Sequence, residues 1–447
     1  MSSVVIRNGT IVNEGVSRKG DILIVDEKIK AIGYVEPENI PPGSTEIDAS
    51  GMLVMPGIID DHVHLREPGL THKADIFSET RAAVAGGVTS FMDMPNTIPQ
   101  TITIKDLNEK FSVASDRSLI NYSFYLGATG TNVNELLNAD PETVCGIKLF
   151  LGASTGNMLL NDEKIIKEIF SHARMTVACH CEDEDIIKKN IALFSQKYGN
   201  DLSVTFHPMI RSREACMKAT SFIIRLASEY NTRLHLLHIS TADETALFRG
   251  DIPLSQKRIT AEACISHLWF DDSGYERLGN LIKCNPAIKT RFDRSELIKG
   301  INDGRIDVVA TDHAPHSVAE KSQTYLKAPS GIPMIQHSLA VMMELYNKGV
   351  VTPEIIVEKM CHNPAIIFRI RRRGFIREGY MADLCIVNPG QQFTVSKNNI
   401  LYKCGWSPLE GTTFSSLVEY TIVNGNIVYK KGIVNEQYRG EKLLFNQ

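Results

Sequence analysis

Met55-Pro56-Gly57-Ile58-Ile59-Asp60-Asp61-His62-Val63-His64-Leu65-Arg66-Glu67-Pro68-Gly69 is the stretch from which the fold can be read. A short apolar run of strand character ends in two histidines at i and i+2. Side chains two apart leave a strand on one face, so both imidazoles can reach one metal ion. Pro68-Gly69 then turns the chain, which sets the pair at a strand's C-terminal mouth. Standing alone, the pair is better read as two histidines held by backbone hydrogen bonds. Its weight comes from downstream, where residues of ligand chemistry recur near the ends of further predicted strands.

Outward from this stretch the pattern alternates strand and helix. Strands are predicted over 87–93, 121–126, 145–151, Thr176–His180, 233–238, 258–263 and 306–311. Helices intervene over 162–173 and Arg213–Tyr230, the second with apolar residues at roughly 3.6 spacing. With the His62 strand this makes eight βα units, which predicts an α/β chain folded as a (β/α)8 TIM-type barrel with its active site at the C-terminal strand ends. The flanks read differently. Val4-Val5-Ile6, Thr10-Ile11-Val12, the runs 20–25 and 28–32, Ala382–Val387 and Tyr420–Tyr429 are short strands, the last broken by an Asn424-Gly425 hairpin turn. The expected organisation is a barrel over 55–374 and a small β-sandwich module built from both termini, 1–54 and 375–447.

Composition narrows the partners. The 447 residues are 43% hydrophobic and 22% charged, with a net charge of −4, so no basic footprint for nucleic acid exists. No uninterrupted apolar run approaches the roughly 18 residues of a membrane span, and the N-terminus lacks the apolar stretch of a signal peptide. Nine cysteines at irregular spacing suit reduced thiols in a cytoplasmic protein. Arg369-Ile370-Arg371-Arg372-Arg373 reads as a solvated face ahead of the tail. The expected partner is a small-molecule substrate, with no membrane or nucleic acid, in a homo-oligomer taken as a dimer.

Candidate ligands line up with the predicted strand ends. Lys148 lies in Gly146-Ile147-Lys148-Leu149-Phe150-Leu151, His180 ends Thr176–His180, His238 ends Leu234-His235-Leu236-Leu237-His238, and Asp312 follows Val308-Val309-Ala310-Thr311. Singly, each has a bland reading: a buried histidine is often structural, and a strand lysine often reaches its amine to solvent. Together they fall at strands one, four, five, six and eight and would converge on one mouth.

Three segments carry a family resemblance: His62-Val63-His64-Leu65-Arg66-Glu67-Pro68-Gly69, Asp93-Met94-Pro95-Asn96-Thr97 and Ala310-Thr311-Asp312-His313-Ala314-Pro315-His316. They resemble the signature segments of the dihydroorotases, within the amidohydrolase superfamily, and the likeness spans nearly the whole chain. Gly379-Tyr380-Met381-Ala382-Asp383-Leu384, where the chain re-enters the β module, belongs to it. Allantoinases and hydantoinases share the H-x-H and the barrel but not the pairing of Arg66 with Met94-Pro95-Asn96-Thr97. The resemblance implies a binuclear zinc enzyme interconverting N-carbamoyl-L-aspartate and L-dihydroorotate in pyrimidine synthesis. It implies His62, His64 and Asp312 on one zinc, His180 and His238 on the other, and two bridges, a carboxylated Lys148 and a hydroxide. Asp312 doubles as the proton carrier.

A protonated lysine beside two divalent cations would be repelled, so an unmodified Lys148 ammonium makes no electrostatic sense there. Some relatives place an aspartate nearby instead, but this sequence has no acid between the strand and Asp162. The same ligand set would also hold Fe, Co or Mn. Two Zn²⁺ against a carbamate, an aspartate and a hydroxide leave about +1, which favours a carboxylate-bearing substrate. Arg66 offers a bidentate fork for that carboxylate and shares the histidines' face if the strand continues; its bland alternative is an ion pair with Glu67. The resemblance adds Asn96 and His316 to the clamp and sets Asn285 against the dihydropyrimidine ring. The polar segment 154–157 reads as a mobile loop over substrate or as an ordinary turn.

Three rival readings remain. Gly152-Ala153-Ser154-Thr155-Gly156 matches the nucleophile elbow of serine hydrolases, but the elbow needs a helix at once and leaves the four histidines unexplained. A non-catalytic scaffold would be expected to have lost ligands. A cyclic amidase acting on hydantoin, dihydropyrimidine or allantoin differs only in what it asks of Arg66.

Overall fold

In the computed structural model, which describes residues 3–152, 158–199 and 202–446, the stretch around His62 is the first barrel strand. The eight strands are β1 (Ile58–Val63), β2 (Val88–Asp93), β3 (Asn121–Gly127), β4 (Gly146–Phe150), β5 (Thr176–His180), β6 (Leu234–Leu236), β7 (Ile259–Cys264) and β8 (Val308–Ala310). Each pairs parallel with the next. The ring closes where Val63 meets His313 and the His64 N–H donates to the His313 carbonyl at 2.7 Å. Apart from Asp60, Asp61 and His62, β1 buries aliphatic side chains, and all six of its residues are buried. A strand enclosed on both faces has no need to alternate.

The helices between strands start where the sequence offers caps. Asp75, Thr103 and Thr290 accept the backbone N–H three residues on, and in each case that third residue reaches back to the cap's own N–H. The predicted helix Arg213–Tyr230 is observed with those bounds, capped by Ser212 and stopped at Asn231 in a left-handed conformation.

Two predicted strands are shorter than expected. The runs 233–238 and 306–311 give only Leu234–Leu236 and Val308–Ala310. The chain leaves each ladder early because His238 (φ 39°) and Asp312 (φ 46°) are left-handed, a conformation no strand can continue. At the N-terminus the difference is opposite. The two expected strands are one, Ser3–Asn13, whose register shifts between Ile6 and Gly9 around a left-handed Asn8.

The chain ends share a nine-stranded sheet. Ser3–Asn13 pairs antiparallel with Val16–Val25 and parallel with Leu53–Pro56, which pairs antiparallel with Leu384–Asn388. Leu417–Val423 and Asn426–Lys430 extend it through a hairpin whose turn residues Asn424 (φ 46°) and Gly425 (φ 75°) are both left-handed. Leu53–Pro56 hands directly to β1 through Gly57. A Cβ there would sit 2.1 Å from Thr89 Oγ1, so only glycine fits where sheet and barrel touch. The C-terminal tail then closes the N-terminal end of the barrel. Tyr122 on β3 bonds to the backbones of Glu441 and Leu443, and Leu443 and Phe445 pack with Ile59, Tyr125 and Phe368. The other mouth stays open. All nine cysteines are unpaired thiols, and among the described residues no helix is long and apolar enough to cross a membrane.

Candidate metal centre and substrate pocket

One pocket at the C-terminal strand ends is lined by His62, His64, Lys148, His180, His238 and Asp312. Residues up to 250 positions apart thus meet at one rim. His62 Nε2 and His64 Nε2 lie 3.2 and 3.0 Å from Asp312 Oδ1. Their other ring nitrogens are already engaged, His62 Nδ1 with Glu262 Oε1 at 2.9 Å and His64 Nδ1 with Asn96 Oδ1 at 2.7 Å. A histidine whose Nδ1 is held by an oxygen presents Nε2 as a donor atom in fixed orientation. Two such nitrogens and a carboxylate oxygen therefore face one point.

The second half is all imidazole. His180 Nδ1 lies 2.8 Å from His238 Nε2, with the rings edge to face. His180 Nε2 is held by Glu182 Oε2 at 3.0 Å, and the same oxygen takes Arg211. Burial pushes the pKa of both histidines down; with His180 Nε2–H donated to Glu182, His180 Nδ1 accepts the hydrogen on His238 Nε2. The His62 and His238 rings, 5.3 Å apart, join the halves.

Lys148 projects from β4 into the same space and is 1% exposed. Its amine stands over the Phe150 ring and makes no ion pair among the described residues. Burial lowers its pKa to about 8, which populates the neutral amine near physiological pH. The donor set is chemically that of a divalent metal centre: four imidazoles, one carboxylate and one buried nucleophilic amine. The buried His238 Nδ1 without a partner is a further mark of a site arranged for something other than internal hydrogen bonding.

Arg66 lines the pocket, though not by the expected route. β1 does not continue past Val63. The Leu65 N–H is taken by Asp93 Oδ1 at 2.7 Å, and Arg66 adopts φ 67°. This left-handed turn, rather than strand alternation, sends the guanidinium inward, where Nε donates to the Pro315 carbonyl at 3.0 Å. Glu67 is no partner for it, because Glu67 pairs with Arg117. Asn96 and Asn285 line the pocket too, and Asn285 Oδ1 is buried with no partner, an acceptor facing the space. His316 sits one layer back. Its Nδ1 accepts from Lys73 at 3.0 Å, its Nε2 lies 3.0 Å from the Ser330 carbonyl, and Arg66 Nη2 is 3.1 Å from that nitrogen. Segment 154–157, the expected loop over substrate, and Ser154 of the elbow motif lie outside the described residues.

Sequence reading missed the acids beneath the ligands. Glu262 on β7 holds His62 and also accepts the His238 N–H at 2.9 Å. Burial would raise its pKa, but His62 and His235 override this and keep it ionised. Glu182 is likewise buried, and Arg211 and His180 hold its pKa down at about 2. Asp60 receives the Thr311 hydroxyl at 2.6 Å and so ties β1 to β8. The available signal was a lone carboxylate inside an apolar strand, Ile259-Thr260-Ala261-Glu262-Ala263-Cys264.

Comparison with known proteins agrees with this chemistry. Residues 53–428 match the model of the amidohydrolase family. The chain is similar to the dihydroorotase of Methanosarcina acetivorans, 30% identical over 99% of this chain and 96% of that one. It is also similar to the allantoinase of Salmonella paratyphi B, 28% identical over 95% of each. Among solved structures, L-hydantoinase (dihydropyrimidinase) from Arthrobacter aurescens superposes with a TM-score of 0.93 over 100% of both chains at 25% identity. The three relatives differ in the substrate that their names give.

Proposed function

The chain belongs to the amidohydrolase family, and on that premise we propose that it is a dihydroorotase, interconverting N-carbamoyl-L-aspartate and L-dihydroorotate in pyrimidine synthesis. The observation that carries the reading is Arg66: a buried guanidinium shares the pocket of the ligand cluster and has no carboxylate partner among the described residues. Burial lowers its pKa only to about 10, so it stays charged. A cationic fork beside the reacting centre suits a ring bearing a carboxylate and is wasted on a neutral hydantoin.

His62, His64 and Asp312 would hold one Zn²⁺ and His180 and His238 the other, and a carboxylated Lys148 would add carbamate oxygens to the ligand set. The neutral Lys148 amine is the species that would add CO2, forming the N–C bond of a carbamate and releasing one N–H proton to solvent. Bound metal supplies Lewis acidity toward the ring carbonyl and acidifies water toward neutral pH. In the hydrolytic direction Arg66 takes the substrate carboxylate, helped by Asn96, while His316 supports Arg66 from behind. Asn285 Oδ1 accepts a ring N–H. Asp312 receives the proton of the attacking water and returns it to the ring nitrogen as the C–N bond breaks. Ring closure runs the same transfers backwards. On this reading 55–374 is the catalytic unit, with 1–54 and 375–447 its accessory module.

Dihydroorotate hydrolysis, assayed with metal content measured before and after chelation, tests the reading. Activity should vanish with the metal and return with added Zn²⁺. Arg66→Ala should cost about 1.5–3 kcal/mol in kcat/KM on dihydroorotate, the range of a hydrogen bond to a charged group. The same variant should hardly change a dihydropyrimidine lacking the carboxylate. Equal losses on both rings, or a native preference for the neutral ring or allantoin, would overturn the assignment in favour of another cyclic amidase.

A further inference from the structure

Behind the substrate pocket, Arg66, Lys73 and His316 are buried together. His316 touches both of the others: Lys73 Nζ lies 3.0 Å from its Nδ1, and Arg66 Nη2 lies 3.1 Å from its Nε2. Lys73 comes from the turn ahead of helix Ile76–Ala85, and Glu320 Oε1 holds its amine at 2.8 Å. Glu320 is itself fixed, because its other oxygen accepts the Ser317 N–H and hydroxyl, each at 2.9 Å.

These contacts decide where the imidazole hydrogen sits. An ammonium has three donors and no acceptor, so His316 Nδ1 must face Lys73 with a lone pair. Burial, with Arg66 and Lys73 alongside, pushes the ring's pKa well below the usual histidine range, which leaves it neutral. A neutral imidazole with a bare Nδ1 carries its one hydrogen on Nε2. The Ser330 carbonyl, 3.0 Å from Nε2, accepts it. Gly331 packs against the same edge of the ring, where a Cβ would stand 2.9 Å from Nε2.

The consequence falls on Arg66. His316 Nε2 has no lone pair to offer, so Nη2 finds no acceptor there although the two nitrogens are 3.1 Å apart. Arg66 Nε is engaged with the Pro315 carbonyl, and no carboxylate pairs with the guanidinium among the described residues. The Nη2 hydrogens remain for a ligand in the pocket that Arg66 lines. The opposite tautomer would reverse this. A bare Nε2 would accept from Nη2 and tie up, against a neighbour, the fork that a substrate carboxylate needs.

We propose that Lys73 is a positioning residue for the substrate carboxylate: its donation to His316 Nδ1 fixes the Nε2–H tautomer and so keeps the Arg66 Nη2 hydrogens free. The inference rests on the dihydroorotase reading. NMR of the zinc-loaded full chain, isotopically labelled at its histidine nitrogens, should show His316 (identified by its loss in His316→Phe) as the Nε2–H form. Lys73→Met removes the donor at similar length. It should shift that signal toward Nδ1–H and raise KM for dihydroorotate about tenfold, the scale of one hydrogen bond to a charged group, while kcat changes less. In the His316→Phe background no ring nitrogen competes for Arg66, so Lys73→Met should add nothing to KM. Lys73→Arg, again a donor without an acceptor, should keep the tautomer and a KM close to native.

A native His316 in the Nδ1–H form, or a Lys73→Met effect undiminished in the His316→Phe background, would overturn the inference and leave the dihydroorotase reading standing. A native chain that prefers neutral rings would instead sink that reading, and the carboxylate role with it, whatever the tautomer. Should Lys73→Met not fold, the native signal and Lys73→Arg decide: a KM raised about tenfold with the Nε2–H form kept would count against the role.

Discussion

Glu262 joins the two halves of the candidate metal centre through one carboxylate: Oε1 takes the His62 ring nitrogen and the His238 N–H. Glu262→Gln keeps the shape but turns an ionic acceptor into an amide. Metal affinity should fall about 10–100-fold, the usual cost of losing an oxygen that orients a ligand histidine, read by chelator competition rather than by rate alone. Unchanged affinity would make Glu262 a packing residue. Below it, His235 Nε2 lies 3.2 Å from Asp61 and 3.7 Å from Glu262. Burial alone would lower the His235 pKa, but the two carboxylates override it and lift the value to about 9. The unfolded value is about 6.5, so folding binds this proton more tightly. That stabilisation is complete below pH 6.5 and is lost as pH rises through 9. Urea midpoints of the metal-free chain should drop across that window, and His235→Gln should flatten the drop; an equally steep profile in the variant would remove His235 as its source.

Among the elements, the segment after β8 shows how a loop becomes a wall. Ser330 and Gly331 line the substrate pocket, and the Lys321 amine bonds to the Lys283, Pro329 and Gly331 carbonyls at 3.1, 3.0 and 2.9 Å. Lys283 in turn holds the Tyr325 and Ala328 carbonyls. Lys321→Met preserves length but strands three carbonyls, each worth about 1–3 kcal/mol when buried unpaired. KM should rise more than kcat falls, with a lower Tm; a variant with native KM would show that the wall holds without its lysine. The strands themselves were legible from apolar runs between turn residues, and Arg213–Tyr230 from its periodicity. Strand ends were not. At Arg66, His238 and Asp312 the backbone is left-handed in residues other than glycine. That conformation costs free energy locally and persists because surrounding contacts enforce it, so no local pattern announces it.

For the whole molecule, one barrel mouth is sealed and the other is chemical. Phe445, 2% exposed, packs under the barrel, and the Phe445 N–H bonds to the Glu142 carbonyl. Phe445→Ala should destabilise by about 3–5 kcal/mol, seen as a lower urea midpoint with the substrate KM unchanged, because the tail lies at the end opposite the ligands. A shifted KM with native stability would contradict that placement. Arg373 adds a polar tie, joining Asp383 at 2.5 Å, Asn424 and Glu441 across the terminal sheet.

By itself the sequence determined the eight βα units, the H-x-H at the first strand end and the set of histidines, lysine and aspartate later found on one rim, because strand and helix periods are local and ligand chemistry is written in residue type. Only the tertiary structure decided that Arg66 enters the pocket by a backbone turn rather than by alternation, that His316 stands behind it, and that Glu262 and Glu182 brace the histidines. Those outcomes depend on which side chains meet across the barrel and on which buried polar atoms find partners, and a contact between residues 200 positions apart leaves no periodic trace in either segment.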